Sequence, residues 1–268
     1  CAILVPEESP LPVIYREKFY EFFTYNDLHQ GINTLDREHY QLVLILSDTA
    51  ISLSPLFLEK IYNAYDAGIQ AIQLHTVIEN RKGFCNRFRA ICKEIKNSLF
   101  RAGNTQFGLS SNLSGTNIAI DLEWLQNNLR SSKTNIERKL FRKNVYIDYL
   151  PDAIVYCQSS PVHPYRRRLR KTASYFFPSL LEGNWNFCNR IVQHLIPSPL
   201  KMCIFVSVWT LLITGYNWAL SIGWWLILFG LLVTYSLAIP DYLVEDKKKK
   251  HSIWRKRHLS NELKKNPV

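Results

Sequence analysis

The pattern of apolar and polar residues first marks one short, wholly apolar run. Leu42 to Leu46 is five consecutive branched apolar residues, with polar residues on both sides. Such a run is typical of a strand that is buried on both faces, as in a parallel sheet. It is followed by Asp48, which predicts a carboxylate at the carboxyl end of a central strand, where open α/β sheets bind ligands. The alternative is that Asp48 only ends the strand, as Asp commonly does in turns.

The residues after this strand have a helical spacing. Ser54 and Pro55 predict a helix start, with Ser54 as N-cap and Pro55 in the first turn. Apolar residues at 57, 58, 61 and 65 continue the helix, and Gly68 ends it. The alternating run 69–74 predicts a second strand. This β-α-β unit predicts a right-handed crossover and a parallel pair of strands.

Further strands and helices alternate over the rest of the first 160 residues. The predicted elements are a short strand at 13–15, a helix over 86–102 ended by Gly103, a strand over 117–120, helices over 122–129 and 135–142, and strands over 146–149 and 153–156 flanking a turn at 150–152. This alternation predicts one α/β domain with a mixed sheet over about residues 1–160.

After about residue 160 the chain becomes rich in basic and aromatic residues, and the region that follows is apolar. From Met202 to Pro240 there is no charged residue. This run is too long for one membrane span of roughly 20 residues and suits two. The break at 215–217 predicts transmembrane helices near 199–215 and 219–239. The alternative is one long, tilted span with a buried core segment.

The net charge of +11 is concentrated around this apolar region. Basic clusters lie before it, at 166–171, and after it, at 247–257. Because Lys and Arg mark the cytoplasmic side, both ends are predicted to be cytoplasmic. The basic and aromatic segment 161–198 suits either nucleic acid or helices at a membrane surface, and the neighbouring apolar region favours the membrane. The tail 241–268 is predicted to bind anionic lipid, and no nucleic-acid partner is expected.

Several short motifs, in this order, resemble family 2 glycosyltransferases. They are Leu42–Asp48, Ser54-Pro55, Ser114-Gly115-Thr116-Asn117, Pro151-Asp152-Ala153 and Arg166-Arg167-Arg168. The most similar branch is the membrane-integrated one that includes cellulose and hyaluronan synthase-like enzymes. The resemblance implies a GT-A-like domain, interfacial helices over 161–198 and a two-helix transmembrane hairpin over 199–240. It also implies a multi-pass protein of the bacterial inner membrane, with the α/β domain and both termini cytoplasmic.

The resemblance implies a role for individual residues in moving a sugar from a nucleotide-sugar donor to a glycan or lipid acceptor. Asp48 falls on the first Asp of an Asp-x-Asp motif, which binds the donor and a Mg²⁺ or Mn²⁺ ion. Arg168 matches the Arg of a Gln-x-x-Arg-Trp motif that helps to bind the donor. Ser114, Gly115 and Thr116 match the acceptor loop.

In the family, the general base belongs to a Glu-Asp pair. This chain has other residues at the matching positions. Counted back from Pro151, that pair falls on Ser132 and Lys133, and a Lys cannot accept a proton at neutral pH. The candidate bases are therefore Glu137, which a shift of register would bring to the motif, and Glu123.

Other departures fall on the donor side. Ala50 stands where the second Asp of the metal motif belongs, and Tyr165 and Leu169 stand where the Gln and Trp belong. The family's first β-α-β unit would precede Cys1, so the resemblance implies an N-terminally truncated chain. Together these losses predict impaired or lost catalysis. The alternatives are an active inverting glycosyltransferase of polysaccharide synthesis and a non-catalytic membrane-surface or nucleic-acid binding protein.

Overall fold

The structure is a computed structural model that describes residues 1–7, 9–14, 20–81, 83–129, 135–158, 173–195 and 199–240. The chain divides into two compact units. The first comprises Cys1–Ala90 and Leu99–Pro197, and the second comprises Ile91–Ser98 and Ser198–Val268.

A seven-stranded mixed sheet forms the centre of the first unit. Its strands are β1 Ala2–Pro6, β2 Glu21–Tyr25, β3 Leu42–Ile45, β4 Ala50–Leu53, β5 Ala71–Ile78, β6 Ile118–Asp121 and β7 Ile147–Cys157. Their order is β2-β1-β3-β6-β5-β7-β4. Strand β1 is parallel to β2 and β3, and β5 is parallel to β7, whereas β6 and β4 run antiparallel to their neighbours. The predicted mixed α/β sheet is confirmed.

Ten α-helices lie among the described residues. They are α1 Leu28–Asn33, α2 Phe57–Asp66, α3 Phe84–Lys96, α4 Gly103–Gln106, α5 Leu122–Asn128, α6 Ile136–Arg142, α7 Phe176–Leu181, α8 Trp185–Leu195, α9 Pro199–Tyr216 and α10 Trp218–Leu237. A π-helical segment, Asn97–Ala102, joins α3 to α4, and a 3-10 turn, Ala173–Tyr175, precedes α7.

Strand β3 is buried on both faces, as its unbroken apolar run predicts. Val43 and Ile45 belong to one hydrophobic core, and Leu42, Leu44 and Leu46 belong to the core on the other side of the sheet. Because neighbouring side chains in a strand point to opposite faces, only an all-apolar strand can fill both cores. Burying each such side chain contributes about 1.5–3 kcal/mol. The strand is therefore a rigid support for the residues that follow it.

The prediction that β3 and β5 form a parallel pair is wrong. Strand β6 lies between them and is antiparallel to both, with Ala119 opposite Leu44 on one side and Ile72 on the other. Strands β3 and β5 therefore point the same way without touching. The cause is a strand that enters the sheet from more than 40 residues further along the chain, which the local pattern does not reveal.

The prediction that Ser54 is a helix N-cap is also wrong. Its backbone N–H donates to the Ile154 carbonyl at 2.9 Å, and its hydroxyl accepts from the Ile154 N–H at 3.0 Å. Ser54 thus extends the unpredicted strand β4 along β7. The helix begins later, after Leu56, whose φ of 56° reverses the chain without a side-chain cap.

Two further boundaries differ from the predictions. Gly103 does not end the long helix but begins α4, and the turn comes at Gly108, which has a φ of 70°. The predicted turn at 150–152 lies inside a single strand, β7. A register shift against β5 accommodates Pro151 there, since proline cannot donate to the ladder. Val13, in the predicted strand 13–15, forms an isolated bridge with Ser52.

The second unit contains the helices α9 and α10, which pack against each other as an antiparallel pair. Asn217 alone separates them, and its side chain caps α10 by accepting from the Ala219 and Leu220 N–H groups. Trp225 donates its indole N–H to the Thr214 hydroxyl across the pair at 3.2 Å. By length and composition one described helix, Trp218–Leu237, could cross a membrane, and Lys201–Tyr216 is a shorter apolar helix.

Candidate active site

The centre of the candidate site is the chain just beyond β3. Ser47 is 1% exposed, and its N–H donates to the Asn117 side-chain oxygen at 2.9 Å. Its hydroxyl lies 3.4 Å from the Cys157 sulfur, at the end of β7. Asp48, the next residue, is exposed. A buried hydrogen-bonded residue therefore holds an exposed carboxylate at the carboxyl edge of the sheet, as the sequence predicts.

Asn117 is the residue that joins the strands at this edge. It is fully buried and has a φ of 55°, a left-handed conformation that costs most residues about 1–2 kcal/mol and that Asn tolerates best after Gly. Its amide nitrogen donates to the Thr76 hydroxyl at 2.9 Å, and its carbonyl accepts from the Leu74 N–H at 3.0 Å. Sequence reasoning placed Asn117 at the start of a strand and gave it no role in the site, although Asn is among the residues that most readily adopt this conformation.

The predicted acceptor loop is anchored to β5 by a buried glutamine. Gln73 accepts from both the N–H and the hydroxyl of Ser114, at 2.6 and 3.0 Å, and its amide donates to the Asn117 carbonyl at 3.0 Å. Gly115 has a φ of 83°, which suits glycine alone, and turns the loop back towards β6. The Thr116 hydroxyl is buried without a hydrogen-bond partner. The loop is thus held to β5 by Gln73 and leads directly into β6.

Glu137 lies beside this loop, so the structure brings together two of the predicted segments. One carboxylate oxygen accepts from the Leu113 N–H at 3.1 Å and pairs with the Arg190 guanidinium at 2.5 Å. The Glu137 and Arg190 side chains are 16% and 13% exposed. A general base must reach the acceptor hydroxyl, and in this arrangement the same oxygen holds the loop and the arginine.

Arg190 is part of a polar stripe on α8, which we define as Asn186, Asn189, Arg190 and Gln193. Their spacing places them on one face of the helix. Asn186 accepts from the Ser110 N–H at 2.9 Å, Gln193 accepts from the Asn112 amide, and both Asn189 and Gln193 contact Asn104. The stripe therefore fixes the segment that leads into the acceptor loop. Sequence reasoning missed it because its partners lie about 80 residues earlier.

Glu123 is not near this edge. It lies in the first turn of α5, just after Asp121, and Asp121 pairs with Leu42 at the opposite end of β3. Asp48 and Glu123 are therefore separated by at least the length of the strand, roughly 13 Å at about 3.3 Å per residue. Asp121 instead caps α5 by accepting from the Trp124 N–H at 2.7 Å.

The family model of "Glycosyl transferase family group 2" matches residues 42–237, the range that contains β3, the acceptor loop, α8 and the apolar helices. The chain belongs to this glycosyltransferase family. A similar solved structure is the mannosyltransferase PcManGT from Pyrobaculum calidifontis in complex with GDP-Man and Mn²⁺. It is 15% identical, with a TM-score of 0.38, over 81% of this chain and 68% of that one. No curated protein matches the chain in sequence.

At the position where the resemblance places the second metal carboxylate, this glycosyltransferase domain has a core residue, Ala50. Ala50 is 1% exposed, begins β4 opposite Cys157 and belongs to a hydrophobic core. Among the described residues, no group of three His, Cys, Asp or Glu side chains could hold a metal ion. Mg²⁺ and Mn²⁺ prefer several oxygen ligands, and Asp48 alone does not supply them. The described residues therefore do not fit the divalent ion that the resemblance implies.

Several residues of the predicted glycosyltransferase site lie outside the described residues. They are Arg168, with Tyr165 and Leu169 of the same motif, and Ser132 and Lys133 at the position of the Glu-Asp pair. The basic cluster 166–171 and the tail 241–268 also lie outside them. Of the predicted site residues, Ser114 and Thr116 are hydrogen-bonded to each other, and Glu137 accepts from Leu113, next to this loop. Gln73 and Asn117 link the loop to the edge that carries Asp48.

Proposed function

We propose that this chain is a membrane-anchored member of the family that retains the scaffold of a nucleotide-sugar-dependent transferase and has lost metal-dependent transfer. The observation that carries the proposal is the burial of Ala50 in a hydrophobic core, at the position where the resemblance places the second metal carboxylate. Without that carboxylate the diphosphate leaving group has no divalent ion to neutralise it, and such stabilisation accounts for several kcal/mol of a reaction barrier.

The acceptor side supports the same proposal. The candidate base Glu137 is paired with Arg190 and hydrogen-bonded to Leu113, so activating an acceptor hydroxyl would require breaking both contacts. Meanwhile the loop that would line the acceptor keeps its contacts with Gln73. The arrangement suits a protein that still positions a sugar or a partner chain, and it does not suit efficient transfer to a glycan or lipid acceptor.

Nucleotide-sugar turnover by the full chain, purified in detergent and supplied with Mn²⁺, tests the loss of catalysis. We expect hydrolysis and transfer to be no faster than in Asp48→Ala, across a panel of nucleotide sugars. Asp66→Ala removes another exposed carboxylate, from the end of α2, and is the matched control. Mn²⁺-dependent turnover that disappears in Asp48→Ala and persists in Asp66→Ala would establish the active inverting enzyme instead.

We further propose that α9 and α10 form a two-span hairpin in the bacterial inner membrane, with the α/β unit and both chain ends in the cytoplasm. Helix α10 has 20 residues and is about 30 Å long, the thickness of a bilayer core. The exposed Tyr216 and Trp218 flank the turn at Asn217. Tyr and Trp are common where a membrane meets water, so the turn would lie at the membrane face opposite the cytoplasm. Helices α7 and α8 would lie along the cytoplasmic surface of that membrane.

Labelling of cysteines with a membrane-impermeant maleimide in intact cells tests this topology. Tyr216→Cys places a thiol at the turn and should react before lysis, whereas the exposed Cys85 should react only after lysis. The buried Cys157 and Cys188 should react in neither condition, so they serve as controls for unfolding. Reaction of Cys85 in intact cells would contradict the cytoplasmic placement.

A further inference from the structure

We infer that the end of α6 and the turn between α7 and α8 form one surface that binds the anionic headgroups of a lipid bilayer. We call it the α6–α8 surface and define it by Arg142, Lys143, Phe177, Leu181 and Trp185. The inference rests on the membrane placement proposed above. It goes beyond that placement by including α6, which neither the apolar region nor the basic segments involve, and by naming the lipid class.

The apolar part of the α6–α8 surface is large and points away from the protein core. Phe177, Leu181 and Trp185 are 73%, 89% and 66% exposed. Phe176, next to the first of them, packs against a hydrophobic core, so α7 is anchored by one aromatic ring and presents the other. Three large apolar side chains this exposed at one turn are uncommon in a soluble protein and indicate an interaction site.

The turn that carries these side chains is held firmly. Gly183 adopts a φ of 71°, and its N–H donates to the Leu180 carbonyl at 3.2 Å. Asn184 caps α8 by accepting from the Phe187 N–H at 3.0 Å. Its amide also donates to the carbonyl of Phe141, on α6, at 2.7 Å. The exposed apolar side chains are thus attached to a fixed turn that is bonded directly to α6.

The cationic part comes from the end of α6. Arg142 and Lys143 are both exposed, and the Arg142 guanidinium lies 5.5 Å from the centre of the Tyr175 ring, which precedes α7. Asn144 has a φ of 52°, and its side chain accepts from the Asn186 amide at 3.4 Å. Two cations therefore lie beside the apolar turn. Glu182 is the single acidic residue between Ala173 and Leu195, so the surface keeps a positive balance.

A bilayer is the partner that this combination fits. Trp favours the boundary between headgroups and acyl chains, because its ring carries a polar N–H. Phe and Leu form the apolar face of helices that lie in this boundary. Each Lys or Arg near an anionic bilayer increases binding about fivefold. Helix α8 ends at Leu195 and α9 begins at Pro199, so the surface precedes the apolar hairpin by a short connection. The charge and the aromatic composition together match an anionic lipid surface.

An environment-sensitive fluorophore on the full chain in nanodiscs tests the inference. The probe is attached at Leu181→Cys in a Cys85→Ser background, and the matched control is Phe107→Cys, where the native side chain is 85% exposed. In discs containing phosphatidylglycerol we expect a blue-shifted probe at 181 that is about tenfold less accessible to an aqueous quencher than the probe at 107. Arg142→Glu with Lys143→Glu should remove most of this protection, and Arg37→Glu, at another exposed site, should not.

The outcomes separate the inference from the proposal on which it rests. If Tyr216→Cys shows an inserted hairpin while the probe at 181 stays in water, the inference fails and the hairpin stands. Equal protection in discs of phosphatidylcholine alone, unaffected by the double charge reversal, would overturn the anionic lipid preference. Protection in detergent that depends on protein concentration would assign the surface to a second copy of the chain. Failure of the hairpin to insert in either disc would overturn both.

Discussion

The two sides of the candidate site are built in contrasting ways. On the acceptor side, Gln73, Ser114 and Asn117 are joined by hydrogen bonds, and Glu137 is paired with Arg190. On the donor side, Asp48 is exposed, and the residue two places further on is a core alanine. Groups that hold the fold together are costly to replace, because breaking a buried hydrogen bond costs about 1–3 kcal/mol. Replacing an exposed group carries no such cost in stability.

This contrast supports the proposal that the chain retains a transferase scaffold and has lost metal-dependent transfer. Ala50 is 1% exposed and adds to a hydrophobic core, so the alanine that stands in place of the second carboxylate suits the fold. On the acceptor side, replacing Gln73 would break its hydrogen bonds to both Ser114 and Asn117, and replacing Arg190 would leave Glu137 without its cation.

Replacing Asn117 by leucine should be the most damaging single change. It removes the acceptor for the Ser47 N–H and the donor to Thr76, and it places a branched side chain at a φ of 55°. We expect the free energy of unfolding to fall by about 4 kcal/mol. Guanidinium unfolding of the detergent-purified chain, followed by tryptophan fluorescence, measures it. Asn63→Leu, at an exposed position of α2, is the control and should change it by less than about 0.5 kcal/mol.

Restoring the missing carboxylate with Ala50→Asp should damage the fold without reviving the enzyme. A carboxylate placed in the core beside β7 would be buried without a hydrogen-bond or ionic partner. We expect the free energy of unfolding to fall by about 3 kcal/mol. The same unfolding measurement applies, with and without Mn²⁺. Asp48→Asn, at the exposed position, should change stability by less than about 0.5 kcal/mol. A stable Ala50→Asp variant that gains Mn²⁺-dependent turnover would show that the metal site is only one substitution from function.

Replacing Arg190 by methionine should weaken the acceptor side by an intermediate amount. It leaves the carboxylate of Glu137, which is 16% exposed, without its cation. We expect the free energy of unfolding to fall by about 2 kcal/mol. Combining it with Glu137→Gln should recover about half of that loss, because the unpaired charge disappears. Additive losses in the double variant would show that the pair contributes no coupling. Arg37→Met, whose native side chain is exposed, is the control.

The smallest expected effect is on the pH dependence of stability. It concerns Tyr65, which contacts the end of the sheet opposite to Asp48, where no site is proposed. Burial and the hydrogen bond from its hydroxyl to Asp121 raise the pKa of Tyr65 to about 12. The folded state therefore favours the protonated phenol. This contribution to stability is complete below pH 10, the usual pKa, and is lost as the pH rises towards 12.

Phenolate absorbance measures this titration as the difference between the native chain and Tyr65→Phe. Asp121→Asn should lower the Tyr65 pKa only in part, since burial is the larger cause. A Tyr65 that titrates at its ordinary value would contradict the packing of α2 against this edge. Neither variant should change the loss of unfolding free energy caused by the acceptor-side variants, because Asp121 lies at the far end of β3 from Ser47.

The sequence by itself determined the local elements and the family. An all-apolar run marked β3, apolar periodicity marked α2, α5 and α6, and the absence of charge marked α9 and α10 with the break at Asn217. These features are readable because each depends on residues a few positions apart. The succession of short motifs was sufficient for the glycosyltransferase family for the same reason.

Only the tertiary structure decided which of these pieces meet. Asn117 reaches Ser47 across 70 residues, and the antiparallel entry of β6 moves Glu123 to the wrong edge and separates β3 from β5. It also decided that Glu137 is occupied by Arg190 and that Ala50 faces a hydrophobic core. Hydrogen-bond partners and strand neighbours depend on how distant segments pack, and a local pattern carries no information about that choice.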